Sequence, residues 1–192
     1  MQDLSQLMDG LSGFLRTSYT AYNAADNARA FLRAHGFCEL DERAPWTLAP
    51  QGKYFVVRGG SAVIAFTGGD AAKGFKIVAS HTDSPCLKLK ENGELSDGTY
   101  TRLNTEPYGG GLWYTFFDRP LRLAGRTVYE EDGALVSRPF ASDFTVSLPS
   151  LAIHLNRDAN EKFAPNLQEN LPLLTLGGKR LAELLGRPVS FD

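Results

Sequence analysis

Apolar residues fall at helical spacing at the start of the chain. Leu4, Leu7, Met8, Leu11, Phe14 and Leu15 follow the i, i+3, i+4, i+7 rule and predict an amphipathic helix. Ser18 or Thr20 is placed to cap a second helix, with Ala24, Ala25, Ala28, Phe31 and Leu32 inward and Gly36 as its stop. From residue 37 the period changes to that of strands. Tyr54 to Arg58 is β-branched and aromatic, Gly59-Gly60 is a turn, and Ser61 to Phe66 is a second strand, so a hairpin is expected. A loop rich in Gly and Asp, Thr67 to Gly74, leads into Phe75 to Ser80. That short, mostly apolar run fits an interior strand buried on both faces. Two helices followed by such a strand predict the start of an α/β layered domain.

After residue 85 the pattern is different. Cys86 to Lys90 alternates apolar and charged residues, as a half-exposed strand does, and Asn92-Gly93 is a turn signal. Short strands are expected over Leu112 to Phe116, Leu121 to Ala124, Thr127 to Glu130 and Ala134 to Val136, with Asp132-Gly133 joining the last two in a hairpin. A final short helix, Lys179 to Leu185, is closed by Gly186 and Pro188. This half reads as an antiparallel, β-rich unit, and the boundary is placed near residue 90.

Composition narrows the class. With 43% hydrophobic and 22% charged residues, the chain is globular, not disordered, collagenous or a coiled coil. A net charge of -2, a pI near 5.9 and the lack of any basic run argue against a nucleic-acid partner. Met1 to Phe14 has no cationic region followed by an apolar core, so it does not read as a signal peptide. No stretch approaches the roughly 18 consecutive apolar residues of a membrane span, so no membrane partner is expected. Cys38 and Cys86 are far apart and form no CxxC pair, which suits thiols in a cytoplasmic protein.

The densest local chemistry is Ser80-His81-Thr82-Asp83-Ser84-Pro85, just past the expected interior strand. Ligands bind beyond the carboxyl ends of strands in open α/β sheets. His81 and Asp83 are two apart, so an extended backbone points both the same way. An imidazole binds zinc through one nitrogen while the other donates to a carboxylate that sets tautomer and ring angle. Alone, His-x-Asp is equally a hydrogen-bonded strand end. A serine-hydrolase triad is rejected, because Ser80 and His81 are adjacent and face opposite ways. His35 is either a ligand or a residue favoured by the helix dipole. Tyr108 to Trp113 lacks the Gly-Lys-Ser/Thr ending of a phosphate loop and reads as a glycine bend entering a strand. Asp118-Arg119-Pro120 reads as a turn with a local ion pair. His154 interrupts the apolar run Leu151 to Leu155; it is either a satisfied core histidine or a group presented to a site at an interface.

Four blocks in order along the chain carry a resemblance. GFKIVASHTDSPCLKLK (Gly74 to Lys90) resembles the first metal-ligand motif of the aspartyl aminopeptidase family of zinc peptidases. EPYGGGLWYTFFDRPLRLAGR (Glu106 to Arg126) is similar to the family's glycine-tryptophan segment, and LPSLAIHLNRDANEKFAPN (Leu148 to Asn166) to its dimerisation-domain motif. Asp41-Glu42-Arg43 followed by Trp46 resembles the N-terminal block.

The resemblance implies an α/β catalytic domain, begun by residues 1–90, interrupted by a β-rich dimerisation domain in residues 91–192. It implies a pair of zinc ions per complete active site, a homo-oligomer of dimers building a dodecamer, and removal of acidic residues, Asp or Glu, from peptide N-termini. It makes His81 a zinc ligand, Asp83 the aspartate that orients the ligand shell, and His154 a group that reaches a neighbouring subunit's site to hold substrate. The family's further ligands, a bridging Asp, a Glu-Glu pair, another Asp and a final His, have no matching motifs here. The chain is therefore expected to be an N-terminal portion, inactive alone. The alternative is a non-enzymatic oligomerisation module derived from such a peptidase.

Overall fold

The computed structural model describes residues 3–186. It is a mixed α/β fold with two sheets and three α-helices among the described residues. The chain divides into two compact units. One comprises residues 1–84 and 124–140, the other 85–123 and 141–192.

In the first unit, helix α1 (Leu4–Thr17) starts at Asp3, whose Oδ1 accepts from the Ser5 amide at 3.2 Å. Its apolar stripe forms as the spacing predicts, yet Leu4, Leu7, Met8, Leu11, Phe14 and Leu15 all face solvent. Helix α2 (Ala21–Ala34) is capped by Thr20 and followed by Gly36 at φ +80°. Ala24 and Ala25 are buried, but Phe31 is exposed instead of inward, stacked on His35 with centroids 4.0 Å apart. Strands β1 (Cys38–Glu39), β2 (Lys53–Arg58) and β3 (Ala62–Thr67) form a sheet in that order. β2 and β3 are antiparallel, turning at Gly59 and Gly60, both at positive φ where glycine carries no Cβ penalty. Phe55 on β2 is fully buried.

The expected interior strand at 75–80 is not formed. The segment has no ladder, and Phe75, Ile77 and Val78 are 81%, 81% and 98% exposed. A buried parallel strand takes its hydrogen bonds and both covering faces from elements distant in sequence. No described strand of this chain supplies them.

The second sheet has the order β4-β5-β8-β7-β6. Its strands are β4 (Cys86–Ser96), β5 (Thr101–Tyr108), β6 (Pro120–Glu131), β7 (Ala134–Ser147) and β8 (Leu173–Leu174). β6 and β7 run through what the spacing reads as three shorter strands, and they turn at Asp132-Gly133, at φ 53° and 77°. Their distal halves belong to the first unit. There Arg126 lies 5.1 Å over the Tyr22 ring, and Asn23 Nδ2 donates to the Phe140 carbonyl at 3.4 Å.

Two further expectations are corrected. Asn92-Gly93 is no chain reversal. It is a bulge inside β4, where the register against β5 jumps between Leu89 and Glu94 and Asn92 sits at φ 54°. A Cβ on Gly93 would stand 2.7 Å from the Lys90 carbonyl oxygen, so Gly93→Ala forces the backbone apart. It is expected to destabilise the fold by about 1–3 kcal/mol, read as a lower denaturant midpoint. Trp113–Phe116 is a single 3-10 turn, not a strand.

The core of the second unit gathers Leu103, Val146, Leu148, Leu171, Leu173 and Leu181. Buried Thr105 donates from Oγ1 to the Leu171 carbonyl at 2.7 Å, so its hydroxyl is satisfied inside the sheet. Helix α3 (Leu181–Leu185) ends at Gly186, φ 66°; Pro188 lies outside the described residues.

Candidate metal and substrate residues

His81 and Asp83 flank a bend after the 75–80 segment. His81 Nδ1 stands 3.0 Å from Asp83 Oδ1. A carboxylate only accepts, so the imidazole proton lies on Nδ1 and the Nε2 lone pair is the one offered outward. The His81 side chain is 91% exposed, which leaves that nitrogen open to a ligand-binding partner. This pair fits zinc as one ligand with the carboxylate that orients it. The described residues contain no group of three or more His, Cys, Asp or Glu able to hold a metal. A catalytic zinc site takes at least three protein ligands. By that count the pair alone does not make a catalytic zinc centre.

His154 is exposed on a turn of the second unit, in the segment that follows β7. The turn is closed by the Leu155 and Asn156 amides, which donate to the Ala152 carbonyl at 2.8 and 3.2 Å. A core position for His154 is excluded. His35 caps α2, and its Nδ1 lies 2.8 Å from the Phe31 carbonyl of its own helix. That contact holds Nδ1 on the helix end, as the structural reading has it.

The other motifs resolve into structure. Arg43 grips Asp41 with Nε and Nη2, and its amide donates to Oδ1 at 3.0 Å; these bonds hold the Asp41 carboxyl below its ordinary range. Trp46 Nε1 donates to the Asp41 carbonyl at 2.8 Å. The N-terminal block is thus a self-tied turn. The glycine run follows β5 instead of leading into a strand, and Gly109 at φ +76° lies against Pro85. Cys38 and Cys86 are both exposed thiols.

Asp118 and Arg119 do not pair with each other. Arg119 Nη1 donates to the Thr115 carbonyl at 3.3 Å. Asp118 Oδ1 accepts from the Ser150 amide at 2.9 Å, and its own amide donates to the Leu148 carbonyl at 2.9 Å. No motif spacing reveals this contact, because the partners are far apart in sequence. Hydrogen bonding from the Ser150 side chain, and then from its amide, holds the Asp118 carboxyl below its ordinary value. A depressed carboxyl stabilises fully above its unfolded value and loses that contribution as pH falls through the lower folded one. Protection of the Ser150 amide against hydrogen exchange, compared at equal intrinsic rate, is expected to persist as pH falls to the ordinary carboxyl range and to be lost below it.

The chain matches the family model described as aminopeptidase I zinc metalloprotease (M18) over residues 14–183. It is 44% identical over 172 residues to a probable M18 family aminopeptidase 2 of Ectopseudomonas mendocina, covering 87% of this chain and 40% of that protein. In the solved structure of the Ape4 and Nbr1 complex, one chain superposes with a TM-score of 0.82 at 39% identity, covering 89% of this chain and 34% of that one. The mApe1 dodecamer of S. cerevisiae shares the fold, with a TM-score of 0.67 at 24% identity over 88% of this chain and 47% of that one. The chain thus spans about 40% of the length of its curated relatives. No described helix is long and apolar enough to cross a membrane. The match over residues 14–183 places this chain in the M18 family of zinc metalloproteases.

Proposed function

We propose that this chain is part of a di-zinc aminopeptidase that removes N-terminal Asp or Glu residues from peptides. Residues 1–90 contribute the first part of its catalytic domain, and 91–192 a β-rich dimerisation domain. His81 binds one ion through Nε2. Asp83 holds the Nδ1 proton and with it the ring angle. His154 binds substrate in the site of a neighbouring subunit. Bound zinc lowers the pKa of a coordinated water and polarises the scissile carbonyl. The assembly is a homo-oligomer, consistent with the dodecamer described for the yeast relative. The protein works in the cytoplasm.

The observation that carries this reading is the 3.0 Å contact between His81 and Asp83 in a chain of this family. Assays of the whole protein on Asp-, Glu- and neutral-linked substrates test it. Chelator-sensitive cleavage that favours the acidic residues supports it; a preference for neutral residues overturns the specificity. The 192-residue chain alone is expected to be inactive, because its described residues offer no three-ligand cluster. That same shortage favours a second reading, an oligomerisation module without catalysis. The whole protein decides between them: zinc-dependent turnover excludes the module.

A further inference from the structure

The segment carrying His154, from Pro149 to Asn170, has almost no regular structure, yet it is tied down at several points. At its start, Asp118 clamps it on both sides, accepting from Ser150 and donating to Leu148, each at 2.9 Å. To do so, Asp118 adopts φ 55°, a left-handed backbone that disfavours most residues and suits Asp or Asn. In its middle, Phe163 stands edge-on to two rings of the 3-10 turn region, Tyr114 at 6.0 Å and Phe117 at 5.5 Å. At its end, Asn166 Oδ1 accepts from the Gln168 and Glu169 amides, and Lys90 donates to Gln168. His154 rides on the first turn after the Asp118 clamp, between that clamp and the Phe163 anchor. Both anchors come from the one block 114–118.

We propose that Asp118 and Phe163 are positioning residues for His154, together setting where its imidazole is presented. This rests on the reading of His154 as a substrate-binding group. A loop without these two ties would sample many conformations, and a side chain on it would reach a second site only a fraction of the time. The apparent substrate affinity falls by that same fraction.

The test is made on the whole protein with Asp118→Ala, Asp118→Asn, Phe163→Ala, His154→Ala and the double variant Asp118→Ala/His154→Ala. Hydrogen exchange is followed at the Ser150 amide and across 152–156. Asp118→Ala is expected to speed exchange there by about tenfold or more, because a bond to a charged acceptor is lost. Asp118→Asn keeps an acceptor and tolerates the same φ, so it restores most of the protection. Phe163→Ala loosens the same turn and, with a half-exposed ring, leaves the core amides of Leu103 and Leu171 unchanged. In the peptidase assay, Asp118→Ala raises KM in the same direction as His154→Ala, and the double variant is no worse than His154→Ala alone. Unchanged exchange at 150–156 in both Asp118→Ala and Phe163→Ala overturns the anchoring. KM losses that add fully in the double variant overturn its connection to His154. Should His154→Ala leave KM unaltered, the reading of His154 fails, and the positioning role fails with it even where the exchange result holds.

Discussion

His81→Ala in the whole protein is expected to remove zinc and peptidase activity together, with a loss of more than about a hundredfold. In the proposed role of His81 the alanine deletes a direct ligand, and even orienting partners of metal-bound histidines are worth about ten- to a hundredfold in affinity or rate. Asp83→Ala is therefore expected to lose about ten- to a hundredfold while keeping more of the metal. The His81 side chain is 91% exposed, so the melting temperature of the metal-free His81→Ala protein should not change. Metal analysis and kcat measured on the same preparations check the result. Full zinc occupancy in His81→Ala would remove the residue from the centre.

The second large effect is on stability. Leu103 is fully buried on β5, within the leucine cluster of the second unit. Leu103→Ala leaves a cavity in that cluster and is expected to cost about 2–5 kcal/mol. Val78→Ala, at a side chain 98% exposed in this chain, is expected to change stability by less than about 0.5 kcal/mol. The contrast, read by denaturant unfolding of the 192-residue chain, separates the core observed here from the one the apolar run at 75–80 suggests. A large cost at Val78 would mean the segment is packed after all.

What the sequence makes legible is local. The two N-terminal helices, the Gly59-Gly60 and Asp132-Gly133 hairpins and the Gly186 stop follow from periodicity, caps and positive φ, all decided within a few residues. The failures are non-local. Phe75 to Ser80 has the composition of a buried strand, but a strand exists only where another offers hydrogen bonds. Asn92-Gly93 has the same φ requirements in a bulge as in a turn, and only the pairing with β5 distinguishes them. Strand β5 escapes notice because Thr101 and Thr105 occupy its buried face and read as polar, although the Thr105 hydroxyl donates to the Leu171 carbonyl and the Thr101 carbonyl accepts from the Thr175 hydroxyl. The aromatic run at 113–116 suits a strand by propensity but curls into a 3-10 turn.

The candidate site divides along the same line. His81 and Asp83 are neighbours in sequence, so their contact is foreseeable from spacing alone. The bond from Ser150 to Asp118 and the rings around Phe163 join residues distant in sequence, so no motif announces them. His154 breaks an apolar run, which in a sequence resembles burial. The structure puts Leu151, Ile153 and Leu155 on the exposed surface with it.

The most direct measurement is a structure of the whole protein with zinc bound, the ions located by anomalous scattering. The account requires His81 Nε2 at roughly 2.0–2.1 Å from an ion while Nδ1 stays on the Asp83 carboxylate. A zinc centre complete without His81, its ring outside coordination distance, would contradict it.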